Sequence, residues 1–370
     1  MSSWKECKLG DVLELKYGKD HKALNDGNIP VFGSGGVMRY ADTSLYDDES
    51  ILIPRKGTLN NIFYINEPFW TVDTIFWSKI NKKEAFGKFL FYQLKTIDFA
   101  NLNVGSAVPS LTTKVLNQVD ISLPPLEEQK AIAEVLSSLD DKIDLLHRQN
   151  QTLESLAQTL FRQWFIEEAK EEWEEKPLSY FGDIICGKTP SKSNLKYFDG
   201  NVPFIKIPDM HGNTFIFKTT DTLSELGKES QKNKTLPPKS ICVSCIATVG
   251  LVSMNIIESQ TNQQINSIIP NKDIYRYFLY LFMQSSYDLL HAMASGGTAT
   301  LNLNTGDFSK MEILKPDDET LKNFHEFIEP KFDKIFINSK QIQILENLRD
   351  TLLQKLLSGE VKILTIEEQR

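Results

Sequence analysis

Two long stretches of the chain carry apolar residues at alternating spacings of three and four positions. The first stretch starts near Ile132 and the second near Phe324. This spacing is the heptad pattern of helices that pair along a narrow apolar seam. One asparagine interrupts each seam, Asn150 in the first and Asn338 in the second. Because a polar residue inside an apolar seam can fix the register of two helices, the pattern predicts two long helices that pair with each other.

The residues that we expect between the paired helices share these heptad positions. They are Ile132, Leu136, Leu139, Ile143, Leu146, Leu153, Leu160, Ile328, Ile335, Ile342, Leu345 and Leu352, with Leu348 also in the pattern. A narrow stripe of this length needs a partner helix of similar length, and the second stretch supplies one. The alternative is that each helix is amphipathic and packs only on its own domain.

The boundary before each long helix has its own sequence signal. Pro124 and Pro125 end a strand because proline cannot donate a hydrogen bond to a neighbouring strand. Acidic residues follow in each copy, at 127–128 and at 317–319, and first-turn amides favour negative charge. Pro330 lies within the second stretch, so we expect that helix to kink or to start in two pieces.

Short runs rich in β-branched residues precede each long helix. Ile51–Ile53 and Ile241–Val243 have the length and composition of strands, and shorter helices are predicted near 84–97 and 273–293. The fold class is therefore α+β. The expected order is a strand-rich domain over 1–123, a long helix over 124–172, a second strand-rich domain over 173–315, and a second long helix with a tail over 316–370.

The chain reads as two copies of one unit. An offset of 192 places residues 105–116 over 297–308, and an offset of 190 places 51–63 over 241–253. At the start of each copy an offset of 172 matches Gly10 with Gly182. Offsets that grow in steps are expected from a duplication with loop insertions. Two copies of this kind predict a pair of long helices related by pseudo-twofold symmetry.

Charge is distributed unevenly along the chain. The formal net charge is −8, with 0 for residues 1–123, −7 for 124–176, +2 for 177–315 and −3 for 316–370. Because the strand-rich segments are neutral or slightly basic, the total does not exclude DNA binding. No long apolar run or signal peptide is visible, and four scattered cysteines fit a reducing compartment, so we expect a cytoplasmic protein with free thiols.

Several short motifs suggest chemistry without the context that it requires. The segment 182–189 matches the P-loop pattern, but Pro190 and a polar stretch follow where a helix should begin. The glycine-rich segment 32–38 lacks the third glycine of a dinucleotide fingerprint and predicts a tight turn. Cys242 and Cys245 lack a second cysteine pair for zinc and favour a core strand, and the five histidines form no spaced cluster. No methyltransferase, hydrolase, helicase or nuclease motif is present.

A strand-rich block that leads through this boundary into a long helix, twice, resembles the specificity subunit of type I restriction-modification enzymes. The resemblance covers essentially the whole chain, and its most specific element is the run Pro124, Pro125, Leu126, Glu128, Gln129 and Ile132. The second copy keeps Pro316 and Glu319 but has Leu321 in place of Gln129, so the match is strong once and weak once.

The resemblance implies a non-catalytic subunit with two target-recognition domains, each reading half of a bipartite DNA site. The implied partners are double-stranded DNA, two methyltransferase subunits that dock on the antiparallel helices, and two restriction subunits in a system that restricts. The chain itself would hold no cofactor or metal. S-adenosylmethionine would belong to the methyltransferase, and ATP and Mg²⁺ to the restriction subunit.

A long helix pair would act as a spacer between the two half-sites. A helix of ~40 residues is ~60 Å long, which equals roughly 18 base pairs of duplex. We therefore expect half-sites separated by a fixed gap whose length depends on the helices.

Candidate DNA-contacting residues are cationic, amide or hydroxyl side chains in predicted turns. A Gly-Lys-Thr-Pro turn is familiar in the resembling family and adds Lys188 and Thr189. The full set is Lys16, Lys19, Lys22, Ser34, Arg39, Tyr40, Arg55, Lys56, Thr58, Ser106, Lys188, Thr189, Lys206, Thr248, Gln263, Gln264 and Thr298. Because aligned positions carry different residues, the two half-sites should differ. Two alternatives remain open: a specificity module of a fused methyltransferase system, and a coiled-coil interaction protein that binds no DNA.

Overall fold

The computed structural model describes residues 4–103, 109–295 and 301–363 of the chain. The chain forms two compact units. Unit 1 consists of residues 1–143 and 344–370, and unit 2 consists of residues 144–343. Each long helix contributes one part to each unit. No helix in the described residues is long and apolar enough to cross a bilayer.

Unit 1 contains the first set of strands and short helices. In chain order these are β1 (Lys5–Lys8), α1 (Leu9–Val12), β2 (Leu13–Tyr17), β3 (Ile29–Gly33), β4 (Gly36–Ala41), β5 (Ser50–Pro54), β6 (Phe63–Ile65), β7 (Trp70–Thr71), β8 (Ile75–Ile80), α2 (Gly87–Lys95), a 3-10 turn (Phe99–Leu102), α3 (Thr113–Leu116) and β9 (Asp120–Leu123). The first long helix, α4 (Leu126–Arg162), follows, and one π-helical turn (Gln163–Glu167) ends it.

The described strands of unit 1 form three sheets. Their orders are β2-β8-β5-β6, β4-β3-β7 and β1-β9. Strands β2 and β5 both run antiparallel to β8, so their C-terminal ends meet the N-terminal end of β8 at one edge. The main core joins the sheets to α2 and to both long helices, and includes Ile53, Phe76, Phe89, Leu136 and Leu356. Burial of this apolar surface is the main stabilising term of the unit.

Unit 2 repeats this plan. Its elements are β10 (Glu174–Pro177), α5 (Leu178–Phe181), β11 (Gly182–Cys186), a 3-10 turn (Leu195–Tyr197), β12 (Phe198–Ile205), α6 (Ile207–Met210), β13 (Phe215–Ile216), β14 (Asp221–Leu223), α7 (Glu225–Glu229), a 3-10 turn (Lys232–Lys234), β15 (Ile241–Ser244), β16 (Val252–Asn255), β17 (Gln260–Thr261), β18 (Ile265–Pro270), a 3-10 turn (Asp273–Tyr275), α8 (Arg276–Ser285), α9 (Tyr287–Ala294), α10 (Thr305–Ser309) and β19 (Glu312–Lys315). The second long helix, α11 (Asp318–Leu357), ends the described fold.

The sheets of unit 2 follow the strand order of those in unit 1, with one additional edge strand, β13, in the main sheet. Among the described residues their orders are β11-β18-β15-β16-β13, β14-β12-β17 and β10-β19. Ile51 pairs with Tyr64 in unit 1, and Ile241 pairs with Met254 in unit 2, which is the predicted offset of 190. The α+β prediction and the internal duplication are therefore confirmed.

The predicted offset at the start of each copy is wrong. Gly10 lies within the helical turn α1, whereas Gly182 opens strand β11. The true equivalents are Leu13 and Gly182, an offset of 169, because Leu13 pairs with Ile80 and Gly182 pairs with Pro270. A shared Gly-Asp dipeptide produced the false match, since identity over two residues carries no information about the element that contains them.

The second long helix continues through Pro330. The structure has a single helix from Asp318 to Leu357, so the expectation that it starts in two pieces is wrong. Proline removes one intrahelical donor, but the helix gains stability from packing along its length rather than from any single hydrogen bond. Ile328 and Phe332, on either side of the proline, are both fully buried in the core of unit 2.

Candidate nucleic-acid interface

One edge of the unit 1 sheets gathers several of the predicted DNA-contacting residues. Lys19 follows β2, and its amide donates to the carbonyl of Thr71 at 2.8 Å. Arg55 follows β5, and its amide donates to the carbonyl of Thr74 at 2.8 Å. The Arg55 guanidinium also donates to the carbonyl of Asp73 at 3.2 Å. We name residues 18–19, 55–58 and 71–74 the edge loops of unit 1.

The edge loops of unit 1 present cations toward solvent. The Arg55 guanidinium lies over the ring of Tyr17, 5.3 Å from its centroid. Lys19 and Lys56 are exposed and have no ion-pair partner among the described residues. The side-chain amide of Asn61 donates to the backbone carbonyl of Ser34 at 3.0 Å. This bond holds the β3–β4 turn beside the turn that contains Lys56. Such side chains are suited to contact phosphate oxygens.

Unit 2 has the same hydrogen-bond frame with different side chains. The amide of Lys188 donates to the carbonyl of Thr261 at 2.9 Å, and the amide of Cys245 donates to the carbonyl of Gln264 at 2.8 Å. We name residues 187–189, 245–248 and 261–264 the edge loops of unit 2. Cys245 is buried where unit 1 has the half-buried Arg55. The backbone hydrogen bonds are thus shared, while the side chain at this place is a guanidinium in unit 1 and a buried thiol in unit 2.

A glycine before the lysine is required by the backbone in both units. A Cβ on Gly18 would lie 2.0 Å from the carbonyl oxygen of Val72, and a Cβ on Gly187 would lie 2.2 Å from that of Asn262. Close backbone approach therefore explains the P-loop-like spacing of residues 182–189. In the described residues, Gly187 follows a strand and no helix begins there, so the segment is not a phosphate-binding P-loop.

A groove in unit 2 brings together the predicted residues Thr189, Lys206, Gln263 and Gln264. The Thr189 hydroxyl donates to Gln263 Oε1 at 2.7 Å. Lys206 is ion-paired with Asp221 and lies over the ring of Phe204, 5.9 Å from its centroid. Amide side chains beside a cation can read base edges, because the amides both donate and accept hydrogen bonds.

Other predicted residues lie away from these edge loops or are held by their own unit. Lys16 is ion-paired with Glu14. The Arg39 guanidinium donates to Asp26 at 2.7 Å and to the carbonyl of Leu24 at 3.2 Å. Lys22 and Tyr40 are exposed, in the loop before β3 and on β4, and no hydrogen bond in the described residues joins them to the edge loops. By contrast, Thr58 and Thr248 lie within the edge loops and are exposed, and Ser106 and Thr298 lie outside the described residues.

The long helices pair within unit 2. Asn338 Nδ2 donates to Asn150 Oδ1 at 2.9 Å, and Asn150 Nδ2 donates to Ser339 Oγ at 3.1 Å. Further along, the rings of Trp164 and Phe324 lie 5.6 Å apart. From the first contact to the second, the residue number increases by 14 on α4, from 150 to 164, and decreases by 14 on α11, from 338 to 324. The two helices are therefore antiparallel. The two asparagines that interrupt the heptads therefore meet.

The helices also pair within unit 1. The Arg349 guanidinium donates to Asp140 at 2.8 Å, and the Tyr92 hydroxyl donates to the same carboxylate at 2.6 Å. Beside this contact, Leu136 and Leu353 are buried in one core. Arg349 and Asp140 are mostly shielded from water, so their ion pair and hydrogen bonds depend on geometry and help to fix the alignment of the two helices.

The residues predicted between the helices are buried or half-buried. Those that are buried are Ile132, Leu136, Ile143, Leu146, Ile328, Ile335 and Ile342, and those that are half-buried are Leu139, Leu153, Leu160, Leu345 and Leu352. Leu348 is 44% exposed, so its assignment to the seam is wrong; the next residue, Arg349, contacts the first long helix instead through Asp140. The helices also pack on the rest of their unit. Ile328 and Ile335 share a core with Phe278 of α8 and Ile241 of β15 in unit 2, and Leu136 shares one with Phe76 of β8 in unit 1.

Gln129 explains the unusual sequence before the first long helix. Its side chain is 1% exposed and makes three hydrogen bonds. Oε1 accepts from the amide of Phe86 at 2.8 Å, and Nε2 donates to the carbonyls of Pro124 at 2.8 Å and Glu84 at 3.0 Å. The glutamine therefore fastens the start of α4 to the segment before α2. We name these contacts the Gln129 clamp.

Comparison with known proteins agrees with this arrangement. The profile of the type I restriction modification DNA specificity domain matches residues 1–155 and 170–348. The HindI type I restriction enzyme specificity subunit of Haemophilus influenzae is 39% identical, over 96% of this chain and 91% of its own. This chain belongs to the type I restriction-modification specificity family.

Two further members of this family extend the comparison. The MjaIX specificity subunit of Methanocaldococcus jannaschii is 26% identical over 88% of this chain and 81% of its own. The crystal structure of a type I restriction-modification S subunit from M. genitalium superposes with a TM-score of 0.64, covers 96% of each chain and is 16% identical. The latter likeness shows the shared fold. This type I specificity subunit therefore has its family's fold over nearly its whole length.

Sequence reasoning missed one exposed residue of the edge loops in this specificity subunit. Asp73 occupies the place that Gln263 has in unit 2, because Ile75 and Ile265 open the equivalent strands β8 and β18. Both side chains are exposed. A carboxylate accepts from cytosine N4, whereas an amide can bond adenine, so the two units present different chemistry at one position. Extending the offset of 190 beyond residue 63 would have revealed the pair.

Two of the cysteines, Cys242 and Cys245, have buried thiols. Cys242 is buried in β15, as predicted, and Cys245 follows directly after that strand. Burial raises the pKa of both thiols to about 12, so they remain protonated and unreactive at neutral pH. All four cysteines are free.

Proposed function

We propose that this specificity subunit reads a bipartite DNA target, with one half contacted by the edge loops of unit 1 and the other by those of unit 2. The observation that carries the proposal is the repeated hydrogen-bond frame. Lys19 and Lys188 have the same backbone contacts in the two units, while Arg55 and Cys245, at equivalent places, differ completely. A shared frame supports similar docking on the DNA backbone, and different side chains support different bases.

The paired helices supply the second part of the proposal. Helix α4 has 37 residues and α11 has 40, and each contributes to both units. At 1.5 Å per residue these helices are about 55–60 Å long. We propose that their length sets the gap between the half-sites, and that their exposed faces dock two methyltransferase subunits.

Chemistry is assigned to the partners in this proposal. The chain would select DNA, and the methyltransferase subunits would bind S-adenosylmethionine and modify the site. Where restriction subunits join the complex, they would use ATP and Mg²⁺. The absence of a recognised catalytic motif in the sequence supports this division of labour.

A binding experiment with a matched control tests the role of the edge loops. The complex with its methyltransferase would be titrated with a duplex that contains the host's methylated site, over a range of salt concentrations. Lys19→Ala removes a cation at the edge loops, and Lys83→Ala removes an exposed cation beyond the opposite end of β8. The plot of log affinity against log salt concentration has a negative slope, and each lost phosphate contact reduces the magnitude of that slope by about 0.9.

We expect Lys19→Ala to weaken binding several-fold and to reduce the salt slope, while Lys83→Ala binds as the unchanged protein does. Equal behaviour of the two variants would show that DNA does not lie at the edge loops. A complex without any salt-sensitive affinity would favour a protein-interaction role without DNA binding.

A further inference from the structure

A histidine and two carboxylates converge at the start of α8 in unit 2. His325 Nε2 lies 3.6 Å from Asp273 Oδ2 and 3.7 Å from Glu329 Oε1. The three donor atoms all lie within 4.8 Å of one another. Asp273 comes from the 3-10 turn before α8, whereas His325 and Glu329 lie one helical turn apart on α11. Two separate elements therefore meet through these side chains.

The imidazole of His325 has no hydrogen-bond partner within the described chain. The residue is only 6% exposed, and its ring stacks on Tyr277 with centroids 5.2 Å apart. Its Nε2 is aimed between the carboxylates at distances too long for hydrogen bonds, and its buried Nδ1 is also unpaired. A buried imidazole that makes no hydrogen bond is costly, so the position of Nε2 in front of two carboxylates requires an explanation. The unpaired Nδ1 faces away from the carboxylates and would not be satisfied by an ion bound at Nε2.

The spacing of the three donors fits a bound divalent ion. Ligands held ~2.0–2.2 Å from Zn²⁺ in a tetrahedron lie ~3.3–3.6 Å from one another. The two distances to His325 Nε2 are close to this range, and the two carboxylate oxygens, which lie within 4.8 Å of each other, would have to close on the ion. Arg276 is ion-paired with Asp273 through Oδ1, which leaves Oδ2 for the ion. Orientation of a ligating carboxylate by a neighbouring donor is common in metal sites.

Unit 1 fastens the same junction in a different way. The Gln129 clamp ties the start of α4 to the segment before α2, but Leu321 stands in place of Gln129 in unit 2. Conversely, the offset of 192 places Ala133 and Ser137 of unit 1 over His325 and Glu329. Unit 2 thus lacks the amide clamp and has the three-ligand cluster near the same junction.

We propose that Asp273, His325 and Glu329 form a divalent-metal site, best suited to Zn²⁺, that fastens α11 to the start of α8 in unit 2. A histidine nitrogen with two carboxylate oxygens is a ligand set that Zn²⁺ accepts, and a water would complete the tetrahedron. The site has a structural role and does not depend on DNA reading. It can therefore be tested on the isolated full-length subunit.

The test is metal titration of the full-length chain after tag removal and treatment with a chelator. Zn²⁺ binding would be followed by calorimetry, and Co²⁺ would serve as a spectroscopic substitute. We expect one equivalent of either ion to bind, with visible d–d bands for Co²⁺ and a higher thermal midpoint. Thiolate-to-cobalt charge-transfer bands should be absent, because the proposed ligands include none of the four cysteines.

Matched variants on one helix decide the result. Glu329→Gln removes a proposed ligand. Glu326→Gln removes a neighbouring exposed carboxylate that acts on His325 only through its charge and is ion-paired, among the described residues, with Lys322. We expect Glu329→Gln to bind the ion at least tenfold more weakly and Glu326→Gln to bind it as the unchanged protein does. His325→Gln should also lose binding, and circular dichroism checks its folding. Absence of a one-equivalent site, thiolate bands, or equal binding by the two glutamate variants would overturn the proposal.

Discussion

Replacement of Gln129 by leucine tests how the first long helix is fastened to unit 1. Leucine is the residue that unit 2 has at the equivalent place, Leu321, and it has nearly the volume of glutamine. Gln129→Leu removes all three hydrogen bonds of the Gln129 clamp. Glu84 is exposed, so its carbonyl can turn to water. Pro124 is buried and Phe86 is half-buried, so the Pro124 carbonyl and the Phe86 amide would remain without partners.

The expected cost follows from those two groups. A buried polar group that loses its partner costs ~1–3 kcal/mol, and the added apolar surface of leucine offsets part of this. We therefore expect a net loss of about 2–3 kcal/mol from the free energy of unfolding of unit 1. For a unit of this size, this loss corresponds to a fall of roughly 4–12 °C in the thermal midpoint.

Differential scanning calorimetry of the full-length chain measures the effect. Gln151→Leu, at an exposed position on the same helix, is the matched control and should leave the midpoint nearly unchanged. Gln129→Glu should be at least as damaging as Gln129→Leu, because it places a charge against the carbonyls of Pro124 and Glu84. If Gln129→Leu has the same thermal midpoint as the Gln151→Leu control, the Gln129 clamp does not fasten α4, and the sequence motif needs another explanation.

Three further predictions concern the helix seam, a buried acid and base reading. Asn150→Leu or Asn338→Leu should each destabilise unit 2, and the double variant should recover much of the loss in denaturant unfolding, because it leaves no unpaired amide. Burial raises the pKa of Glu154, so the ionised carboxylate destabilises the folded state. Glu154→Gln should therefore raise the thermal midpoint. This gain should increase as the pH rises through the pKa of the folded-state carboxyl and disappear in acid, where the carboxyl is protonated in both states. Gln263→Ala should relax one base position in methylation sequencing, whereas Lys188→Ala should weaken binding to all sequences alike.

The sequence predicted those parts of the fold that depend on local periodicity. The heptads located both long helices, and Asn150 and Asn338 were recognised because they interrupt an apolar pattern that is otherwise regular. The equivalent strands that contain Ile51 in unit 1 and Ile241 in unit 2 were predicted correctly, because β-branched runs bounded by turn residues are local signals. The error at Leu348 arose because this residue stands six positions after Ile342, one short of the heptad, so it does not face the seam.

The candidate sites depend on contacts that no local pattern encodes. Gln129 was visible in the motif before the helix, but its role required knowledge that the Phe86 amide lies beside it. The sequence shows His325 and Glu329 at helical spacing, but Asp273 is 52 positions away from His325 and meets it only because the turn before α8 packs on α11. That Arg39 contacts DNA remains a prediction. Its guanidinium is ion-paired with Asp26, so a DNA contact would have to compete with this pair.

Methylome sequencing of the host, with and without this specificity subunit, tests the central claim most directly. The account predicts that loss of the subunit removes methylation at one bipartite motif with two unlike halves and a constant gap. Insertion of four residues into α4 should change that gap without changing either half. A single continuous motif, two identical halves, or a gap that stays the same after the insertion would contradict the account.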